Sequence, residues 1–220
     1  MSVKASTNAR TLAAYQAAAE VYERAEAAVN PPALTALLDA FSDRLAAGTT
    51  VLEFGSATGR DAAFLERRGL RVHRTDATMA FVDRLRARGL NAEPLNVLSD
   101  DIGGPWSAMY AGAVFLHFSE AELVQVFART AAAAQPGGLL AFTLKEGDGS
   151  RWTTAKLDQP RHFTYWREPE LRALIEASPW EIIAVERGGG HTESWLQCLC
   201  VIPDAHLPRA ELPAARTRNT

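Results

Sequence analysis

The stretch "VLEFGSATGR", Val51 to Arg60, runs from an apolar strand into a turn of small residues. Glu53 stands near the end of the strand, and the five residues from Gly55 to Gly59 carry no large side chain. In open α/β sheets a ligand lies beyond the carboxyl ends of the strands, where the first turn lets the backbone approach it closely. The stretch therefore predicts an α/β fold with a ligand-binding turn after its first strand.

Helical and strand-like segments alternate around this turn, and no internal repeat interrupts them. Such alternation is typical of a parallel sheet with helices on both faces. Only the turn "GGH" separates the last two strands, which is too short for a crossover helix, so these two should pair antiparallel. We predict a Rossmann-like α/β sheet of seven mostly parallel strands, at 49–55, 70–76, 91–98, 108–115, 139–145, 180–188 and 194–202.

Two amphipathic helices are predicted before the first strand, over 10–25 and 30–48. Tyr15 and Tyr22 share the apolar face of the first helix, a position more typical of core residues than of ligands. We expect an N-terminal helical lid over residues 1–30, a ligand-binding domain over 31–204 and a flexible tail over 205–220.

Composition narrows the class of partner. A net charge of −3 and a sequence pI near 6.0 give no basic surface for nucleic acid. No segment reaches the roughly 20 apolar residues of a membrane span, and the N-terminus lacks the apolar core of a signal peptide. Cys198 and Cys200 alternate in the last strand and predict a reduced, buried pair rather than a metal site. We expect a cytoplasmic protein with a small-molecule partner, no nucleic acid, no membrane and no metal.

The glycine turn departs from the G-x-G-x-x-G pattern that binds a pyrophosphate, because Ala57 and Arg60 replace its second and third glycines. Asp76 ends the second strand, about 20 residues downstream, where dinucleotide-binding folds hold a carboxylate on ribose hydroxyls. Capping the following helix is the alternative role for Asp76. The pattern favours a nucleoside without a pyrophosphate.

Glu53 is costly to bury unless it meets a cation or hydrogen-bond donors. S-adenosylmethionine offers an ammonium group to such a carboxylate or its neighbouring backbone, and ribose hydroxyls to Asp76. A structural salt bridge of Glu53 with Arg60 or Arg10 is the alternative. S-adenosylmethionine is therefore the predicted cofactor, with S-adenosylhomocysteine as its product.

Four motifs occur in order: "VLEFGSATGRD", "TDATMAFVDRLRARG", "FLHF" and "QPGGLLAFTLKEGDG". In this order they resemble the class I S-adenosylmethionine-dependent methyltransferases, over about Tyr15 to Ile202. The resemblance implies a strand order of 3-2-1-4-5-7-6 with an antiparallel last strand, and a helix before the first strand that covers the cofactor, with Tyr15 as a candidate contact.

The resemblance also implies cofactor roles for individual residues. The methionine part would lie beside the glycine turn, the ribose at Asp76 and the adenine at Asn96 and Val97. The full set of predicted cofactor-binding residues is Tyr15, Glu53, Gly55, Ser56, Ala57, Gly59, Asp76, Ala77, Asn96 and Val97.

Two departures from the family pattern concern the cofactor half. Ala57 replaces the middle glycine, and Ser107 stands where many relatives have Asp. The Asn-Pro-Pro-Tyr type of motif is absent after strand four, where the chain reads "YAGAVFLHF". Methylation of a DNA base or of a protein glutamine is therefore disfavoured.

Acceptor residues are harder to assign. His117 follows strand four, where it is a candidate general base or, equally, a capping or packing residue. The segment "RHFTYW" holds His162, Tyr165 and Trp166, which either line the acceptor pocket or form an aromatic lid. Lys145, after strand five, is a further candidate substrate contact.

The resulting hypothesis is methyl transfer from S-adenosylmethionine to an oxygen or nitrogen of a small-molecule metabolite, by in-line displacement with the partners aligned and water excluded. Two alternatives stay open. One is a non-catalytic protein of this fold that binds the cofactor or its product, and the other is an NAD(P)-dependent reductase. The chain is expected to act as a monomer or homodimer.

Overall fold

The computed structural model describes residues 6–26, 29–190 and 193–204. Its helices are α1 (Thr7–Ala25), α2 (Pro32–Ser42), α3 (Arg60–Arg67), α4 (Met79–Ala87), α5 (Glu120–Ala133) and α6 (Glu168–Glu176), with a 3-10 helix at Phe115–His117. Its strands are β1 (Thr50–Phe54), β2 (Arg71–Asp76), β3 (Ala92–Pro94), β4 (Trp106–Ala111), β5 (Ala134–Glu146), β6 (Ser150–Thr153), β7 (Arg161–Trp166), β8 (Glu181–Gly190) and β9 (Glu193–Val201).

The main sheet runs β3-β2-β1-β4-β5-β9-β8. The first five strands in that order pair in parallel, and β9 lies antiparallel between β5 and β8. Since β8 and β9 are the sixth and seventh predicted strands, the predicted order and the antiparallel last strand are confirmed. The chain has a Rossmann-like α/β fold with a mostly parallel central sheet.

Two strands were missed by the sequence analysis, so the sheet has nine strands rather than seven. No strand was predicted between 145 and 180, where β6 pairs antiparallel with β7. The end of β7 then pairs with the end of β5, where Lys145 lies opposite Tyr165. The hairpin of β6 and β7 therefore extends the sheet beside the carboxyl end of β5.

Two strand boundaries also differ from the prediction. β4 ends at Ala111, and the last predicted strand residues, Val114 and Phe115, belong to the turn and 3-10 helix that follow. The residues "QPGG" lie inside β5, which begins at Ala134 rather than at the predicted 139, because Ala134 already pairs with Trp106 of β4. The earlier end of β4 brings the 3-10 helix to the carboxyl edge of the sheet.

Alternate residues of the strands are buried in two apolar layers, one on each face of the sheet. Val51 and Tyr110 face a cluster with Leu38 and Phe41 of α2, together with Leu65 of α3. The opposite face packs against α5 and α6, through Leu123, Val126, Phe127, Leu171 and Ile175. Each fully buried side chain of this size contributes about 1.5–3 kcal/mol. Helices thus cover both faces, as predicted.

The helix α1 begins three residues before the predicted start, because Ser6 caps it by accepting a hydrogen bond from the N–H of Ala9 at 3.1 Å. The helix α2 ends at Ser42, short of the predicted 48, and a turn follows. Cys198 and Cys200 are both free and buried, which confirms the predicted pair. The predicted tail, 205–220, lies outside the described residues.

Candidate functional site

The turn after β1 is held by the neighbouring strand β2. Gly55 and Ala57 have positive φ angles of 71° and 43°, a left-handed conformation that costs a residue with a side chain about 1–2 kcal/mol. The N–H of Ala57 donates to Oδ2 of Asp76 at 3.0 Å, and the N–H of Ser56 donates to the carbonyl of Thr75 at 2.9 Å. A carboxylate on β2 thus helps to fix a conformation that Ala57 would not choose by itself.

A first cavity lies at the carboxyl ends of β1, β2 and β4, beneath α1. A side chain at Gly55 would clash with Val114 across this space, so the turn requires glycine there. The structure brings eight of the predicted site residues to its walls: Tyr15, Gly55, Ala57, Asp76, Ala77, Asn96, Val97 and His117.

A second cavity adjoins the first. Glu53 and Ser56 line it. Gly59 lines neither cavity, since it precedes α3 and a Cβ there would lie 3.0 Å from Cδ2 of Leu85. The two cavities share the residues Tyr22, Gly55, Ala57, Gly112 and Ala113. A ligand lying in the first cavity therefore meets the second cavity at this junction.

Glu53 is buried, with 2% of its surface exposed. Its carboxylate accepts a hydrogen bond from the hydroxyl of Ser56. Burial first, then the nearby carboxylate of Asp61, raises the pKa of Glu53 to about 8, although the Ser56 bond and Arg74 act in the opposite direction. The side chain is therefore largely protonated at neutral pH, unless a cation enters the second cavity beside it.

Neither salt bridge considered for Glu53 forms within the described residues. The guanidinium of Arg60 pairs with Asp61 and Glu26. The guanidinium of Arg10 lies 4.1 Å from the ring centre of Trp152. No ion pair therefore joins Glu53 to a described side chain, although the charge of Arg74 lowers its pKa. The carboxyl group is left open to a cationic group of a ligand.

Asp76 joins the turn after β1 to the residues that begin α4. It is buried, and its Oδ1 accepts from the N–H of Thr78 at 2.8 Å while Oδ2 accepts from Ala57. Burial raises the pKa of Asp76, and these two bonds lower it. Each carboxylate oxygen has a second lone pair. Asp76 therefore braces the turn and the start of α4 and still presents acceptors to the first cavity.

Asn96 joins α1 to the edge of the sheet through a side-chain hydrogen bond. Its Nδ2 donates to Oδ1 of Asn8 in α1 at 3.1 Å, and its Oδ1 accepts from the N–H of Leu98 at 3.1 Å. Val97 is buried beside it, with its carbonyl accepting from Arg129 at 2.8 Å. These bonds hold one wall of the first cavity in place.

His117 uses both ring nitrogens within the protein. Nδ1 lies 2.6 Å from the carbonyl oxygen of His162. Because a carbonyl only accepts, Nδ1 carries the proton, and Nε2 accepts from the hydroxyl of Tyr15 at 2.9 Å. Burial lowers the pKa of His117 to about 3, with Arg161 and Lys145 contributing, so the ring is neutral near pH 7.

Further bonds join α1 to β7 around this pair. The backbone N–H of His162 donates to the hydroxyl of Thr11 at 3.1 Å. Arg161 donates to the phenol of Tyr15 at 3.4 Å. Burial raises the pKa of Tyr15 despite this cation. The N-terminal helix is thus docked over the first cavity by polar contacts with β7 and the 3-10 helix.

The four predicted substrate residues are not brought together. Lys145 and Tyr165 line a separate surface depression, where Lys145 pairs with Glu193 at 2.6 Å. Trp166 is buried in the core. The ring of the buried His162 lies 5.3 Å from that of Trp152, with the two ring planes tilted by 60°. None of these four residues lines the first or the second cavity.

Other residues line the second cavity, and the sequence analysis did not assign them to the site. Thr143 of β5 and Gln197 of β9 lie directly opposite each other in the antiparallel ladder. Trp195 shares their face of the sheet, and Tyr22 and Lys156 approach from α1 and the loop after β6. The alternation in "SWLQCLCV" places Trp195 and Gln197 on one face, but only the pairing of β9 with β5 directs that face toward the cavity.

Within residues 6–26, 29–190 and 193–204, no group of three or more His, Cys, Asp or Glu side chains is placed to hold a metal ion. In the same part of the chain, no helix combines the length and the apolar character needed to cross a membrane.

No model of a known protein family matches the chain, and no curated protein is significantly similar to it in sequence. Solved structures do share its architecture. One is the Burkholderia thailandensis 1,6-didemethyltoxoflavin-N1-methyltransferase with bound 1,6-didemethyltoxoflavin and S-adenosylhomocysteine, 17% identical, with a TM-score of 0.69 over 93% of each chain.

The magnesium protoporphyrin IX methyltransferase from Synechocystis PCC 6803, crystallised with S-adenosylmethionine, is 11% identical, with a TM-score of 0.71 over 91% of this chain and 99% of that one. The (4+2)-cyclase SpnF is 15% identical, with a TM-score of 0.70 over 93% of this chain and 98% of that one. At these identities the likeness shows the fold, and the cyclase shows that one fold carries different reactions.

Proposed function

We propose, for a chain with the fold of the class I S-adenosylmethionine-dependent methyltransferases, that it transfers a methyl group from S-adenosylmethionine to an oxygen or nitrogen of a small molecule in the cytoplasm. The observation that carries the proposal is the adjoining pair of cavities at the carboxyl ends of β1, β2 and β4. One cavity has the features of a nucleoside site, and the other begins where the reacting end of that ligand would emerge.

The residues present fit the proposed cofactor. Asp76 keeps free lone pairs for ribose hydroxyls, and Gly55 leaves room that a Cβ would fill. Glu53 forms no ion pair with a described side chain, and the ammonium group of the cofactor would supply a partner. Asn96, Val97, Ala77 and Phe81 form the remaining wall, which suits an adenine.

When bound, the cofactor supplies a sulfonium methyl group: the lone pair of the acceptor forms a bond to the methyl carbon, the carbon–sulfur bond breaks with its electron pair kept by sulfur, and the proton of the acceptor leaves to solvent. The protein needs to align the partners and exclude water, and such positioning is worth up to about 7–11 kcal/mol. The lid over residues 1–30, docked through Tyr15 and Thr11, is proposed to provide the exclusion.

His117 is proposed to act as a positioning residue for Tyr15. Its Nε2 is occupied by the Tyr15 hydroxyl and its Nδ1 by a backbone carbonyl, so neither nitrogen is free to take a proton from an acceptor. A base role would require the lid helix to move away first. The proposed acceptor contacts are the residues on the β5 and β9 side of the second cavity, Thr143, Trp195 and Gln197, in place of Lys145, His162, Tyr165 and Trp166.

The test begins with cofactor binding. S-adenosylmethionine or S-adenosylhomocysteine at about 100 times its dissociation constant should add about 2.7 kcal/mol to the free energy of unfolding, whereas NADH should add nothing. Incubation with methyl-labelled S-adenosylmethionine and a panel of small molecules should then give a labelled product. Stabilisation by NADH alone would replace the proposal with a reductase.

A second candidate function is a protein of this fold that binds the same cofactor without transferring its methyl group. The structural likeness to a cyclase is the observation that favours keeping it. Stabilisation by both adenosyl ligands, with no labelled product from any acceptor in the panel, would support this candidate.

A further inference from the structure

The amide oxygen of Gln197, a residue that lines the second cavity, is buried without a hydrogen-bond partner among the described residues. The residue as a whole is 6% exposed. Other buried polar atoms are also unpartnered in the described part of the chain, but Gln197 is the residue among them that lines either of the two cavities. An unsatisfied buried polar group costs about 1–3 kcal/mol, so its place at a ligand site calls for a partner from the ligand.

The neighbouring strand adds a second polar group at the same level. Thr143 lies directly opposite Gln197, and its hydroxyl oxygen accepts from the N–H of Ala113 at 2.8 Å. A hydroxyl that accepts this bond still has its own hydrogen to donate. Ala113 lies at the junction of the two cavities. The polar pair therefore stands beside the place where the cofactor's reacting end would emerge.

Two aromatic residues line the same cavity as these polar groups. Trp195 precedes Gln197 by two residues on β9 and so projects from the same face of the strand. Tyr22 lines both cavities from the lid helix. Flat apolar rings with few polar groups are the surroundings that planar ligands favour.

The carboxylates of this cavity other than Glu53 have partners within the protein, and Glu53 is the proposed contact of the cofactor's ammonium group. Glu26 accepts from Thr58 and pairs with Arg60, and Asp61 accepts from Tyr110. The polar groups that remain available on the sheet side are thus neutral, a donor and an acceptor at Gln197 and a donor at Thr143.

Resting on the proposed function, we infer that the acceptor is a planar, neutral molecule with an N–H or O–H donor beside a carbonyl, as in a cyclic amide or imide, and that Gln197 recognises this edge. A primary amide offers one donor and one acceptor, which matches such an edge in a two-point contact. The class of acceptor is thus inferred from the unpartnered amide oxygen of Gln197 in the wall of the second cavity.

The probe is quinolin-2(1H)-one, and its N-methyl derivative serves as the matched ligand without a donor. Both are titrated into protein saturated with S-adenosylhomocysteine. We expect the parent chain to bind the first roughly three- to tenfold more tightly, since one net hydrogen bond is worth about 0.5–1.5 kcal/mol. Gln197→Met should abolish that preference, and Gln125→Met, at an exposed helical position, should retain it.

Stability gives an independent readout. Replacing an unsatisfied buried amide by an apolar side chain of similar shape should leave the melting temperature of the ligand-free protein unchanged or raise it. A lower melting temperature for Gln197→Met would assign the amide a structural role and overturn the inference. Equal binding of the two probes, or a preference that survives Gln197→Met, would also overturn it.

Failure of the proposed function has a different signature. If S-adenosylhomocysteine does not stabilise the parent chain, the cofactor assignment fails before any acceptor is tested. If it stabilises the parent chain and Gln197→Met equally but neither probe binds, the cofactor assignment stands and the acceptor class is overturned.

Discussion

The hydroxyl oxygen of Tyr15 lies 2.9 Å from Nε2 of His117, so the N-terminal helix and the 3-10 helix after β4 are joined at the wall of the first cavity. The two residues are 102 positions apart in the chain. The contact therefore helps to hold α1 over the first cavity. It also occupies the histidine nitrogen that a general base would need.

Tyr15→Phe should loosen the lid. The change leaves Nε2 of His117 buried without a donor, which should lower the free energy of unfolding by about 1–3 kcal/mol and weaken cofactor binding. Tyr22→Phe is the matched control, because the Tyr22 hydroxyl makes only a 3.5 Å contact with Glu26. Chemical denaturation measures both. Equal losses from the two variants would contradict a special role for Tyr15.

Activity should show no inflection from His117 in the ordinary histidine range. Its pKa of about 3 keeps the ring neutral from pH 5 to pH 9, so its protonation state does not change there. The measurement is the pH dependence of kcat/KM in the parent chain and in His117→Gln. An inflection near pH 6.5 that disappears in the variant would restore His117 as the general base.

Glu53 should couple both stability and cofactor binding to pH. Its folded-state pKa of about 8 lies above that of an unfolded glutamate, so its contribution to stability is present below about pH 4.5 and is lost as pH rises through 8. The free energy of unfolding should fall by up to about 1.4 kcal/mol per pH unit in that window.

An ammonium group beside Glu53 would lower its pKa, so cofactor binding should release a proton and tighten as pH rises toward 8. Calorimetry in buffers of different ionisation enthalpy measures that proton. Glu53→Gln should remove the pH dependence, while Glu120→Gln, at an exposed helical position, should keep it. A proton count of zero in the parent chain would contradict the proposed contact.

Ala57→Gly should stabilise the protein. Ala57 has a φ of 43°, and glycine adopts this conformation without the steric penalty. The gain from relieved strain exceeds the added freedom of the unfolded chain by about 0.5–1 kcal/mol. Gly55→Ala is the reciprocal change and should destabilise, because its Cβ would clash with Val114. Thermal unfolding of both variants checks the pair.

Asp76 should contribute to cofactor binding beyond its role in the turn. Asp76→Ala is expected to weaken binding of S-adenosylhomocysteine at least about tenfold, as the loss of charge-assisted bonds worth about 1.5–3 kcal/mol implies. An analogue without ribose hydroxyls should lose little on the same substitution. If both ligands lose affinity equally, Asp76 acts through the backbone of Ala57 alone.

Lys156 is expected to hold the carboxylate of the cofactor's amino-acid part. Its Nζ lies 4.4 Å from the ring centre of Tyr22, at the second cavity, and no ion pair joins it to a described carboxylate. Burial lowers the pKa of Lys156, which a bound anion would reverse.

Lys156→Met should weaken binding of S-adenosylhomocysteine about tenfold and leave 5′-methylthioadenosine, which lacks the amino acid, unaffected. Lys145→Met is the matched control, because that amine pairs with Glu193 outside both cavities. Equal effects of Lys156→Met on the two ligands would reject the assignment.

Local pattern was sufficient for much of the architecture. The stretch from Val51 to Arg60 carries its own strand, turn and helix start, so the first strand and the turn were predicted within a residue or two. The short link before β9 required an antiparallel pairing. These features depend on neighbouring residues, whose spacing is visible in the chain.

The tertiary structure decided the acceptor side. From the sequence, "RHFTYW" lined the acceptor pocket or formed an aromatic lid, and its pairing with β6 and β5 places Trp166 in the core and Tyr165 at a separate surface depression. Gln197 and Thr143 lie far apart in sequence, and only the register between β5 and β9 sets them side by side. Sequence by itself determined seven of the nine described strands and the glycine turn after β1, because local periodicity and glycine geometry specify them. Which side chains face the second cavity depends on long-range strand pairing, which no local pattern encodes.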